Sequence, residues 1–143
     1  MNARVVFCPS VPTEIHEAVS GHIIRALPLL PAWVNTCHVY YEAESDHYAC
    51  VIVQTQSRNV TVTISGNYLK IDNEKRERVI IHEFAHCYTA PTADAARESI
   101  KAIVGGDYPT PGSKIAEIYV DEMMEQATED LAILFQKLIP VIE

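Results

Sequence analysis

Between Thr36 and Ser65 the chain carries three short β-rich runs, with helical periodicity before and after them, and this arrangement limits the fold more than any other feature. Thr36–Glu42 and Tyr48–Gln54 are rich in Val, Tyr and Ile and are separated by the turn-like "EAESDH". Asn59–Ser65, "NVTVTIS", alternates apolar residues with threonine, the pattern of a strand with one buried and one wet face. Gly66-Asn67 closes that run, and "YLKID" predicts a short fourth strand.

On the N-terminal side, Thr13 to Leu27 reads as a helix. Thr13 follows Pro12 as a candidate N-cap, and Ile15, Val19, Ile23 and Leu27 recur every fourth position. The prolines of "LPLLP" end it. On the C-terminal side a second helix starts after Asp72-Asn73 with Glu74 and Glu77 in its first turns, as the macrodipole favours, and runs to about Thr89, before Pro91. "TADAARESIKAIVGG" predicts a shorter helix closed by Gly105-Gly106, and after the loop "DYPTPGS" a long last helix runs from Ser113 to Leu138 or Ile139. The order α-β-β-β-α-α-α predicts an α+β domain over residues 1–143, with one small, mostly antiparallel sheet packed with helices.

A chain of 143 residues is long enough for one sizeable core without help from a metal or disulfides. The formal charge of −8 repels phosphate backbones and anionic headgroups, so neither nucleic acid nor a membrane is an expected partner. The basic cluster Lys75-Arg76-Glu77-Arg78 is interrupted by a glutamate and reads as the solvated start of a helix. No run reaches the ~20 apolar residues of a membrane span, and four apolar residues before Pro9 are too few for a signal-peptide core. A cytoplasmic location is expected. In that reducing compartment Cys8, Cys37, Cys50 and Cys87, widely spaced among apolar neighbours, read as buried free thiols. The oligomeric state is left open.

Chemistry concentrates in "VIIHEFAHCY", Val79–Tyr88. At 100° per residue His82 and His86 stack on one helix face, while Ile80, Phe84, Cys87 and Tyr88 point roughly the other way. Two neutral imidazoles one turn apart can share a tetrahedral Zn²⁺ at ~2.0–2.1 Å. Glu83, just around the helix, is placed to take a proton from an activated water and hand it to a leaving amine. A buried run tolerates these ionisable groups where a metal compensates them.

Catalytic zinc needs a third protein ligand. No histidine follows His86, and His16, His22, His38 and His47 read as strand-edge or helix-surface residues. The last helix offers Glu117, Asp121, Glu122, Glu125, Glu129 and Asp130. With a core stripe of Val120, Met124, Ala127, Leu131, Leu134 and Leu138, Glu117 and Glu125 lie on its shoulder, whereas Glu122 and Glu129 point further out to solvent.

The stretch Val79–Tyr88 resembles the extended H-E-x-x-H signature of zincin metallopeptidases. The order of helix, small sheet, motif helix and terminal glutamate-bearing helix is similar to minimal gluzincins, including phage- and prophage-encoded metallopeptidases and the ImmA/IrrE-like group. The resemblance covers about ten residues in the motif; the remainder is architectural. It implies a zinc-dependent peptidase acting on a peptide or protein substrate, with Glu83 as general base and acid. "EIYVD", Glu117–Asp121, resembles the E-x-x-x-D of thermolysin-like enzymes, whose aspartate supports a zinc histidine, whereas "EQATEDLAILF" resembles the glutamate helix of the phage and ImmA/IrrE-like proteins. The second pattern implies His82, His86 and Glu125 as the Zn²⁺ ligands, with Glu117 and Glu122 in reserve. It further implies that "NVTVTIS" is the edge strand beside the cleft, pairing with an extended substrate. The same ancestry also permits a metal-binding regulator or interaction module without turnover.

Overall fold

Four residues before Pro9 form a strand, β1 (Arg4–Phe7), where the sequence predicts no element. The computed structural model describes residues 3–104 and 110–142. After β1 come α1 (Thr13–Ala26), β2 (Thr36–Glu42), β3 (Ala49–Gln54), β4 (Asn59–Ser65), α2 (Asn73–Val104) and α3 (Pro111–Ile142), with short 3-10 turns at Leu27–Leu29 and Gly66–Lys70. The fold is α+β, as expected, with a single four-stranded sheet among the described residues.

That sheet is mixed rather than mostly antiparallel. Its order is β1-β2-β4-β3, with β1–β2 and β2–β4 parallel and only β3–β4 antiparallel. The unexpected β1 is one reason, because α1 crosses between it and β2 and so makes that pair parallel. The other is that β3 lies outside β4, which leaves β2 and β4 to meet side by side. β4 is therefore central, not the edge strand; the edges are β1 and β3.

Alternation decides which face is covered. Cys37 and Val39 of β2 and Val60, Val62 and Ile64 of β4 share the buried face, while Tyr40 and Ile52 are exposed on the other. One core joins that face to Ile15, Val19 and Ile23 of α1, Ile80, Ile81 and Phe84 of α2, and Phe135 and Ile139 of α3, the last helix packing chiefly on α2. Leu27 sits in the 3-10 turn, so α1 ends where "LPLLP" predicts. Thr13 is inside α1 rather than capping it: Pro12 holds the N-cap position and makes no side-chain cap.

Local chemistry also redraws the later elements. "YLKID" forms no strand, because Tyr68 and Leu69 give their carbonyls to the guanidinium of Arg76, at 3.2 and 3.0 Å, and the chain tightens into the 3-10 turn. That contact makes Arg76 half-buried, not a solvated member of the basic cluster, and its neighbour Glu77 pairs with Arg25 at 3.1 Å. Asp72 caps α2 by accepting the Lys75 N–H at 2.8 Å. α2 runs through Pro91 as one helix instead of two. Gly105-Gly106 and most of the loop beyond lie outside the described residues. α3 begins at Pro111, two residues earlier than expected, because Thr110 caps it: its Oγ1 accepts the Ser113 N–H, and the Ser113 hydroxyl accepts the Thr110 N–H in return. At its far end α3 continues through Pro140.

All four cysteines are free, but only Cys37 and Cys87 are buried; Cys8 is half-buried and Cys50 exposed. No helix among the described residues is long and apolar enough to cross a membrane.

Candidate metal centre

α2 turns a wide apolar face to the core, with Ile80, Ile81, Phe84, Ala85 and Cys87 essentially inaccessible. That packing fixes the rotation of the helix, so His82 and His86 emerge together at its border. Their ring centroids lie 4.8 Å apart, with planes at 85°. α3 brings Glu125 across them: one carboxylate oxygen is 3.1 Å from His82 Nε2 and the other 3.5 Å from His86 Nε2. One ligand atom from each of the three residues falls within 4.8 Å of the others, a set that could hold a metal ion.

The remaining ring nitrogens are occupied by α3 as well. His82 Nδ1 lies 2.7 Å from Glu129 Oε1, and His86 Nδ1 lies 3.5 Å from the buried Thr128 hydroxyl. Thr128 gives its proton to the Met124 carbonyl at 2.7 Å. Its oxygen is then free to accept from Thr89, 2.7 Å away, and from His86 Nδ1 in the tautomer that carries its proton there. A carboxylate only accepts, so Glu129 favours a proton on His82 Nδ1, just as Glu125 favours one on Nε2 when no cation is bound. In the neutral Nδ1–H tautomers both Nε2 lone pairs face Glu125. Three acceptors turned toward one point repel unless a cation or protons sit among them. His86 resists the proton: burial first, and His82 next, hold it below the ordinary histidine range against the pull of Glu125 and Glu129. The nitrogen, nitrogen and carboxylate donors suit Zn²⁺.

Glu83 points elsewhere. It is 8% exposed, lies against β3 and accepts the Val51 backbone N–H. Burial, and then the nearby Glu125 charge, push its pKa up to about 8, against the opposing effect of the Val51 hydrogen bond. A cleft of about 820 Å³ opens in front of His82 and Glu83, with Tyr48, Lys75, Arg78 and Ile133 among its walls.

The structure thus brings together His82, His86 and Glu125, with Glu83 beside them. Glu117 and Glu122 are not in the group, and Asp121 pairs with Arg97 rather than supporting a histidine. Glu129 is exposed, as expected, yet its carboxylate also reaches His82. The stripe assigned to the core of α3 is also displaced: Thr128, Ala132, Phe135 and Ile139 are buried, whereas Ala127, Leu134 and Leu138 are exposed. The spacing Glu125-x-x-x-Glu129 was the available signal for Glu129, one turn beyond the ligand and on the same side. His22 is buried, not on the helix surface, and bonds Asn73 at 2.8 Å. His16 stacks near Phe7, and His47 lines the cleft without joining the ligand group.

A comparison with models of known protein families, with curated proteins and with solved structures finds no match. The site therefore stands on its own geometry. Chemically it combines a point where lone pairs converge, an acid poised near neutrality within reach of the same cleft, and the unpaired edge of β3.

Proposed function

We propose that this protein is a zinc-dependent metallohydrolase, a peptidase similar to minimal gluzincins, in which His82, His86 and Glu125 hold Zn²⁺ and Glu83 is the general base and acid. The observation that carries this reading is the convergence of two Nε2 atoms and the Glu125 carboxylate, each imidazole contacted from behind by Glu129 or Thr128. Bound there, the ion supplies Lewis acidity toward a carbonyl oxygen and acidifies water. Glu83 takes the proton of the attacking water on its carboxylate and returns it to the departing amine. β3 provides the surface for the substrate: Val51 spends its N–H on Glu83, and the other outward backbone groups of this edge strand are placed to pair with an extended peptide.

The test combines metal content with turnover. Zinc-supplied protein is expected to carry about one ion per chain by elemental analysis, and Glu83→Gln to retain the ion while losing chelator-sensitive cleavage of a peptide library. Protein that binds no zinc removes the reading altogether. Zinc binding without cleavage in the unaltered chain makes it a metal-binding interaction module instead.

A further inference from the structure

α3 carries a second apolar stripe that the domain covers only in part, with Leu131 reaching the core and Ala116 and Val120 half-buried. Ala116, Val120, Met123, Ala127, Leu131, Leu134 and Leu138 follow at steps of four, three, four, four, three and four. Six steps over this span average ~3.67 residues per turn, close to an unstrained helix, so the stripe stays on one side for about 33 Å. Met123, Leu134 and Leu138 are 50, 56 and 49% exposed and Ala127 is exposed, whereas Thr128 and Ala132 of the neighbouring face are buried against the domain. A row of large apolar side chains left open in this way marks an interaction surface.

The stripe reads the same in both directions. The steps are palindromic about Ala127, and reversal sets Ala116 against Leu138, Val120 against Leu134 and Met123 against Leu131. At the two ends small opposes large, and at the centre two alanine methyls permit close approach. A two-fold axis requires this kind of surface, in which residue i meets j while j meets i.

Charge agrees with the same pairing. Tyr119, Gln126, Asp130 and Lys137 lie along one flank of the stripe, roughly 60–100° around the helix from Ala127. In an antiparallel pair like flanks meet, which brings Lys137 to Tyr119 and sets the Gln126–Asp130 pair, already bonded within each helix, beside its own copy, with no acid directly opposite an acid. On the side of α2 away from the histidines, Thr92, Ala95 and Ser99 are exposed and small. We propose that the chain forms an antiparallel homodimer through α3, with Ala127 on the two-fold axis. Glu125 and Glu129 each lie about 160° around α3 from Ala127, so the cleft stays open in the dimer.

The experiment uses the full chain. Sedimentation equilibrium at micromolar concentration is expected to give twice the chain mass, and a monomer there overturns the proposal. Orientation is read by mild oxidation of single cysteine variants in a Cys8→Ser, Cys50→Ser background. Ala127→Cys is expected to give a covalent dimer by itself. Ala116→Cys and Leu138→Cys are expected to cross-link only when mixed. Self-linking of both in place of the mixed product means a parallel pair and overturns it. Ala127→Glu, which sets two carboxylates against each other on the axis, is expected to give a monomer with unchanged circular dichroism; a dimer of unchanged affinity overturns it.

Discussion

The Nδ1 atom of His82 lies 2.7 Å from Glu129, while Glu125 approaches the other side of the same ring at 3.1 Å. A carboxylate on Nδ1 fixes the tautomer and makes Nε2 a better donor to a metal. Glu129→Ala is therefore expected to weaken zinc binding roughly 10–100-fold in a chelator competition, with circular dichroism unchanged; equal affinity would leave Glu129 without that role. His82, Glu83 and His86 are legible in the sequence because their grouping lies in spacing along one helix, whereas Glu125 is reached only through a resemblance, with Glu117 and Glu122 in reserve. Glu129 and Thr128 are not, because their roles depend on how α3 is rotated. The leucine-rich stripe suggests a rotation about a quarter turn from the observed one. In the fold, Thr128 and Ala132 face the domain, and the leucines face out. A different residue gives the molecule an alkaline limit. Burial pushes the Cys37 thiol up to about 12 from an ordinary value near 9. Between those values the unfolded chain has lost the proton and the folded chain keeps it, so stability is full below about pH 9 and falls as pH rises toward 12. The slope is about 1.4 kcal/mol per pH unit for this thiol. Urea titrations across that window check it, and Cys37→Ala should lessen the fall without abolishing it, because burial also pushes the Cys87 thiol up to about 12.

Pro91 shows how an element boundary escapes sequence reading. A proline inside a helix removes one hydrogen bond and crowds the preceding turn, at a cost of about 3 kcal/mol, so a break before it is the expectation. α2 continues because the residues around the proline are held from outside: Thr89 bonds Thr128, Ala93 is buried, and Arg97 pairs with Asp121. Packing against α3 offsets the local penalty. Pro91→Ala is therefore expected to stabilise the protein by roughly 1–2 kcal/mol in urea, since the relief is partly cancelled by a freer unfolded chain. A loss of stability would mean that the proline itself helps to seat α2 on α3. The strands divide in the same way. β2, β3 and β4 are visible as runs of β-branched and aromatic residues, but nothing local to them states a direction or a neighbour. Strand order came instead from β1, four residues too short to carry a period, and from β3 passing to the outside of β4.

At the scale of the molecule, the candidate site lies along the seam where α3 packs on α2. His82 and His86 belong to the helix that crosses the sheet, whereas Glu125 belongs to α3, on a stretch whose buried neighbours are few and small. In the absence of a cation the three acceptors there oppose one another. An ion bound to all three ties α3 to α2 and, binding the folded chain alone, stabilises it by about 2.7 kcal/mol at a free concentration 100 times its dissociation constant. For a chain of 143 residues that corresponds to a rise in Tm of roughly 5–10 °C. Thermal unfolding with zinc and with a chelator measures the difference. His82→Ala removes one of the three ligands, so it is expected to fold, to melt near the chelated protein and to respond little to added zinc. If the unaltered chain and His82→Ala rise equally with zinc, the ion is bound elsewhere and the link between the two helices is not made through these residues.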